Sequence, residues 1–336
     1  MTVSVASKQR AFSRELREAG FEWSKVKKTL PDWYKEAFTT NSGVLELRSF
    51  VAKHLGLKFG NDGKLTLRDL PAVCFKTAKG TDPADVLSAR AFATTTARVV
   101  ARATDSEWRG MPSDPSEIRK CVLAEHSEFN WIDFQSLVKY CWSIGVPVLY
   151  LPESPSSGKK MEGMVSYCAG RPVIILTKKN NSSDWHLFTL AHELGHIALG
   201  HLPMTEGEAV VDEAIIRDER DDEQELEANK FATNLLAEGK KLRLQRLLNA
   251  GSFANVAVKY AKENSVSPGH VILSASNHTQ KKGQKVFALG NSALSQLPEK
   301  YNRKTGVVCK SVAHDYMDLY ELSSDSFEYL ENLNIL

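Results

Sequence analysis

Disulfide chemistry is the first thing this sequence lacks. Its five cysteines, Cys74, Cys121, Cys141, Cys168 and Cys309, are scattered without CxxC spacing, and an odd, dispersed set provides no disulfide framework. A reducing cytoplasm is the expected setting. Also missing is any apolar run near the roughly 20 residues that span a bilayer, and no apolar signal core follows the first basic residues. No membrane partner is expected. Nor is there an excess of either charge: 43 Lys and Arg against 41 Asp and Glu leave a formal +2, which argues against a dedicated nucleic-acid binder.

What is present is enough for a globular protein. A chain of 336 residues with 42% apolar content can bury more than one core, so two or three units are expected.

The informative stretch is DWHLFTLAHELGHIALGH, Asp184 to His201. Its apolar residues Leu187, Phe188, Leu190, Ala191, Leu194, Ile197, Ala198 and Leu199 recur at helical spacing, and within it His192, Glu193 and His196 form an HExxH motif. Residues four apart on a helix share a face about 6 Å apart, so both imidazoles reach one ion. Glu193 leaves the turn at a different angle and can serve as a base toward an attacking water. A buried helix with two histidines and a glutamate needs partners for those groups, and a metal ion supplies one. The pattern predicts a zinc (Zn2+) hydrolase core.

A catalytic zinc site takes three protein ligands and keeps one open position. The HExxHxxGxxH spacing would put a histidine where Leu202 stands, so that solution fails, with His201 one residue short. The other common source is a carboxylate on a later helix. The run DDEQELEANKFATNLL, Asp221 to Leu236, has a buried face marked by Ala228, Phe231, Ala232, Leu235 and Leu236, and Glu225 lies on that side. Glu225 is the third metal ligand by this reading. Glu227 is the second candidate, and Asn229 is placed to orient a ligand histidine. Asp212 or His201 as a fourth ligand would mark a latent site.

Three blocks in order, PVIILTKKN, HLFTLAHELGHIALGH and ELEANKFATNLL, resemble the ImmA/IrrE family of metallo-endopeptidases over about residues 145 to 275. The resemblance implies a zinc-dependent protease of gluzincin-like arrangement that acts on a partner DNA-binding repressor of helix-turn-helix (XRE) type, or is paired with one as a toxin with its antitoxin. Where members continue LLMP, this chain has Ala237, Glu238 and Gly239 after Leu236, a departure that bears on the cleft rim and not on the ligands.

The fold expected is α+β and mostly helical: a zincin-like metalloprotease core with a small sheet at 111–280, preceded by an all-helical N-terminal domain at 1–110, degenerate helix-turn-helix-like, and followed by an α/β extension at 281–336. In the first segment, helices are read at Ser7 to Phe21 and at Ser42 to Leu57, the latter with Ser42 as cap. Arg10, Arg14, Arg17, Lys25, Lys27 and Lys28 could touch phosphates, but no residue set specifies a base-reading helix, so DNA is not the expected partner. Further helices are read over Asp82 to Ala103 and Asn130 to Ile144. Met161 to Asn180 reads as a hairpin, with Val165 to Cys168 as a substrate-holding edge strand. A short strand is read at Val286 to Leu289. The activity expected is hydrolysis of a peptide bond in a partner protein; the alternative is a zincin-like module that binds and regulates such a partner without cleaving it.

Overall fold

A computed structural model describes residues 4–70, 74–76, 86–157, 163–212, 223–240, 242–244, 249–281 and 284–336. The start of the helix read from Asp82, the start of the hairpin at Met161, the acidic Asp221 and Asp222, most of the basic run at 240–248 and the side chain of Asp212 lie outside the described residues.

Four helices come first: α1 (Val5–Glu18), α2 (Trp23–Val26), α3 (Tyr34–Ala37) and α4 (Asn41–His54). In α1 the Ser4 hydroxyl accepts the Ser7 amide, and Phe12 and Leu16, one turn apart, are buried. The cap of α4 is Thr40, which accepts from the Gly43 amide, and Ser42 falls inside the helix. Past Gly56, at φ +74°, the all-helical expectation fails. Leu57–Phe59 (β1) and Leu65–Leu67 (β2) pair as an antiparallel hairpin around a turn in which the Gly63 amide donates to the Gly60 carbonyl. Cys74–Lys76 (β3) then joins the central sheet. The sequence carries the reason: the alternating LKF and LTL flank Asn61, Asp62 and Gly63, turn-forming residues that end the helical pattern.

The chain continues through α5 (Leu87–Arg102), α6 (Pro115–Cys121), α7 (Phe134–Ser143), β4 (Val148–Tyr150), β5 (Gly163–Cys168), β6 (Arg171–Leu176), α8 (Ser183–Ala198), β7 (Ala209–Asp212) and α9 (Glu223–Ala237). Asp133 and Ser136 close a capping box at the start of α7, and Gly145, at φ +79°, turns the chain after it. Ala169 and Gly170, both at positive φ, make the two-residue turn between β5 and β6.

Among the described residues the main sheet has the order β3-β7-β5-β6-β4, with β5 antiparallel to both neighbours. Val165 faces Ile174 on one side and Val210 on the other, so the segment expected as an edge strand is internal. The edges are β3 and β4. The displacement comes from β7, whose short AVVD run returns after α8 to occupy the flank of β5. Alternation along β5 separates two layers. The Cys168 thiol meets the Thr94 carbonyl of α5, whereas Gly163, of opposite parity, faces Thr189 and Glu193 of α8. The sheet is therefore covered on both faces, which explains why β5 and β6 are almost wholly buried.

Beyond α9 come α10 (Ala250–Asn264), α11 (Pro268–His278), β8 (Gln280–Lys281), β9 (Gln284–Lys285), α12 (Phe287–Leu294), α13 (Thr305–Tyr316) and α14 (Ser324–Asn332). The strand expected at Val286 to Leu289 is mostly the first turn of α12, because its apolar residues pack on α11 in a second small core. The C-terminal segment folds back across the molecule. Tyr329 donates to the His54 carbonyl and shares a hydrogen bond with Thr96, and Asn332 donates to the Leu30 carbonyl. One hydrophobic core thus runs through residues from Phe12 to Leu336, and the three segments expected from the sequence share it.

Candidate metal centre

Helix α8 is fixed before it reaches the HExxH turn. His186, fully buried, places Nδ1 3.1 Å from the Ser182 carbonyl and 2.9 Å from the Thr305 hydroxyl, with Nε2 3.3 Å from the Lys178 carbonyl. Burial lowers its pKa to about 4, so it is a neutral anchor between α8, the end of β6 and α13. Asp184 is buried where a Cβ on Gly269 of α11 would overlap its carboxyl group. Burial, and then the charge of Asp133, raise its pKa to about 8.

Helix α9 is fixed at its other end. The guanidinium of Arg119 on α6 donates to the Leu235 and Leu236 carbonyls at 2.9 and 3.3 Å, satisfying acceptors that the last turn of a helix leaves open. Ala228, Phe231 and Ala232 bury its inner face. It lies close against α8 at Gly195, where an added Cβ would stand 3.1 Å from Phe231 Cδ1 and 3.3 Å from Ala228 Cα. The glycine between the two halves of HExxH is what lets the helices meet.

That approach brings His192, His196 and Glu225 together, with ligand-type atoms all within 4.8 Å of one another. The two Nε2 atoms are 3.1 Å apart; His192 Nε2 is 3.2 Å from Glu225 Oε2, and His196 Nε2 is 3.3 Å from Glu225 Oε1. Each separation is close to the edge length of a tetrahedron whose corners lie about 2.0 Å from its centre, the zinc distance for imidazole nitrogen and carboxylate oxygen, with the two histidines facing different oxygens of the one carboxylate. The residues present therefore fit a zinc ion. Both imidazoles are buried and the Glu225 side chain is 23% exposed, so the cluster opens on one side. Glu193 is wholly buried, and its carboxylate lies against Gly163, where any Cβ would overlap Oε1.

Other sequence-stated residues fall elsewhere. Leu202 is buried in the core. Glu227 and His201 stay outside the donor cluster and pair with each other, His201 Nε2 to Glu227 Oε2, at 3.1 Å. The group beside His196 Nδ1 is His201. Sequence reasoning missed Gly163, Gly195 and the buried Asp184. Only Gly195 carried a signal, a glycine inside a helical pattern that would otherwise favour alanine.

Comparison with known proteins places these elements in a family. No curated protein matches the chain. The family model described as the IrrE N-terminal-like domain (Peptidase_M78) matches residues 141–261, a span that holds the hairpin, α8, α9 and every residue of the cluster. Residues 141–261 are thus an ImmA/IrrE-family domain, of a metallopeptidase kind.

Proposed function

We propose that this protein is a zinc-dependent endopeptidase that hydrolyses a peptide bond in a partner protein. The observation that carries the reading is the convergence of His192, His196 and Glu225 on one point, with the buried carboxylate of Glu193 on the same turn. A bound zinc ion would be held by these three side chains and would supply Lewis acidity, lowering the pKa of a coordinated water toward about 7 and polarising the scissile carbonyl. The protein's own part is then a proton transfer. Glu193 takes the proton of the attacking water and delivers it to the leaving amine, while Gly163 keeps the space its carboxylate occupies.

The partner inferred from the family likeness is a helix-turn-helix regulator of XRE type, or an antitoxin, which would set the activity within stress response, toxin-antitoxin pairing or phage-related regulation. A reducing cytoplasm suits the chain: Cys121, Cys141, Cys168 and Cys309 are free thiols, three of them buried. Among the described residues no helix is long and apolar enough to cross a membrane.

The test is Glu193→Gln. Cleavage of a co-expressed partner, followed by mass spectrometry, should fall about 100- to 10,000-fold, with zinc content and fold retained. Undiminished cleavage by that variant would reject the assignment of the base.

A further inference from the structure

Helix α8 ends in a Schellman motif. Gly200, at φ +73°, donates its amide to the Ile197 carbonyl at 3.2 Å, and the next amide, that of His201, returns to the His196 carbonyl at 2.9 Å. In such a cap the residue after the glycine packs against the one five positions earlier, usually through an apolar pair. Here that pair is two imidazoles. His196 Nδ1 lies 2.9 Å from His201 Nδ1, and His201 Nε2 lies 3.1 Å from Oε2 of Glu227 on α9.

The bond order of this chain has one consistent solution when His196 Nε2 faces a cation. That nitrogen must be bare, so the ring proton of His196 sits on Nδ1 and is donated. His201 Nδ1 must then accept, which leaves its own proton on Nε2, donated to the carboxylate. We infer that His201 and Glu227 are positioning residues that fix the Nδ1–H tautomer and ring orientation of His196, so that α9 holds the metal centre twice. Glu225 reaches the Nε2 side of that ring directly, and Glu227 reaches its Nδ1 side through His201. The His201 side chain is 5% exposed and Glu227 is 52% exposed, so the relay runs from the buried centre to the surface. This inference rests on the reading of His196 as a zinc ligand.

The experiment is zinc affinity of the full chain, measured by competition with a chromophoric chelator, for the wild type, His196→Ala, His201→Phe, Glu227→Leu and Glu227→Gln. Outer partners of metal-bound histidines are worth about 10- to 100-fold in metal affinity. Glu227→Leu and His201→Phe should weaken zinc binding by that range. Glu227→Gln should stay within about threefold of the wild type, since the amide oxygen still accepts the His201 proton while the charge is gone. Both Glu227 variants lose the same charge, so a purely electrostatic role would weaken them alike, and that result would overturn the relay. Wild-type affinity in Glu227→Leu and His201→Phe would also overturn it, with the zinc site left standing. A wild type without zinc, or His196→Ala binding as tightly as the wild type, would remove both the relay and the zinc-hydrolase reading. Glu227 sits at the surface, so its variants keep the test intact should His201→Phe fail to fold.

Discussion

Gly163 shows how one absent side chain shapes this centre. It opens β5 directly against the Glu193 carboxylate, and a methyl group there would stand only 2.0 Å from Oε1. Neither the sheet nor α8 can retreat easily, because both are packed in the core. The carboxylate would have to rotate away from its place against β5. Gly163→Ala is therefore expected to lower kcat for partner cleavage at least tenfold, displacement of a catalytic group by about 1 Å costing up to 100-fold. Zinc stoichiometry should stay that of the wild type. Turnover equal to the wild type in a folded, zinc-loaded variant would show that Glu193 has room to move.

Between α8 and α9 the decisive quantity is the interhelical gap, set by Gly195 against Ala228 and Phe231. Glu225 stands one turn before Ala228 on α9, so any widening at this contact moves the carboxylate away from both imidazoles. Gly195→Val adds branched bulk where the nearest atoms are backbone and a buried ring, an overpacking that costs about 1–3 kcal/mol. Two measurements should change together: the urea midpoint should fall, and zinc affinity should drop at least tenfold. Loss of stability with unchanged zinc affinity would mean that Glu225 is placed by something other than this contact. The periodicity of both helices and the apolar face of α9 are legible in the residues, but not which glycine they would cross at, since crossing is a property of two surfaces.

Over the whole molecule, four buried groups with large shifts among the described residues shape the response to pH between about 4 and 8. His54, His186 and His270 each have their pKa lowered to about 4, burial being the largest cause. A histidine with a folded pKa below its unfolded value adds stability that is present above about 6.5 and is lost as pH falls toward the folded pKa. Asp184 acts oppositely. Its pKa is raised to about 8, so the folded state keeps a proton the unfolded chain releases near 4, and stability declines as pH rises from there to about 8. Between about pH 4 and 6.5 the unfolded state takes up roughly two protons net, three on histidines against one on Asp184; above 6.5 the Asp184 term alone remains. Stability by urea unfolding should peak near pH 6.5 to 7, steeply on the acid side and gently on the alkaline side. Asp184→Asn should remove most of the alkaline decline. An unchanged decline in that variant would discard Asp184 as its source.

The sequence by itself determined the local parts of this protein. The four-residue spacing of His192 and His196, the carboxylate of Glu193 between them, and the apolar face that aims Glu225 inward are consequences of one helical period and needed no partner to be read. The hairpin of β5 and β6 was legible in the same way. Tertiary structure decided what lies beside what: β7 on the flank of β5, β3 drawn into the sheet from a segment read as helical, and the C-terminal Tyr329 closing over His54. It also turned His201 and Glu227 from rival ligands into a pair behind His196. The physical reason is range. Backbone periodicity fixes a side chain's direction within a turn or two, whereas the neighbour it meets depends on the burial of distant apolar surfaces, which no window of sequence contains.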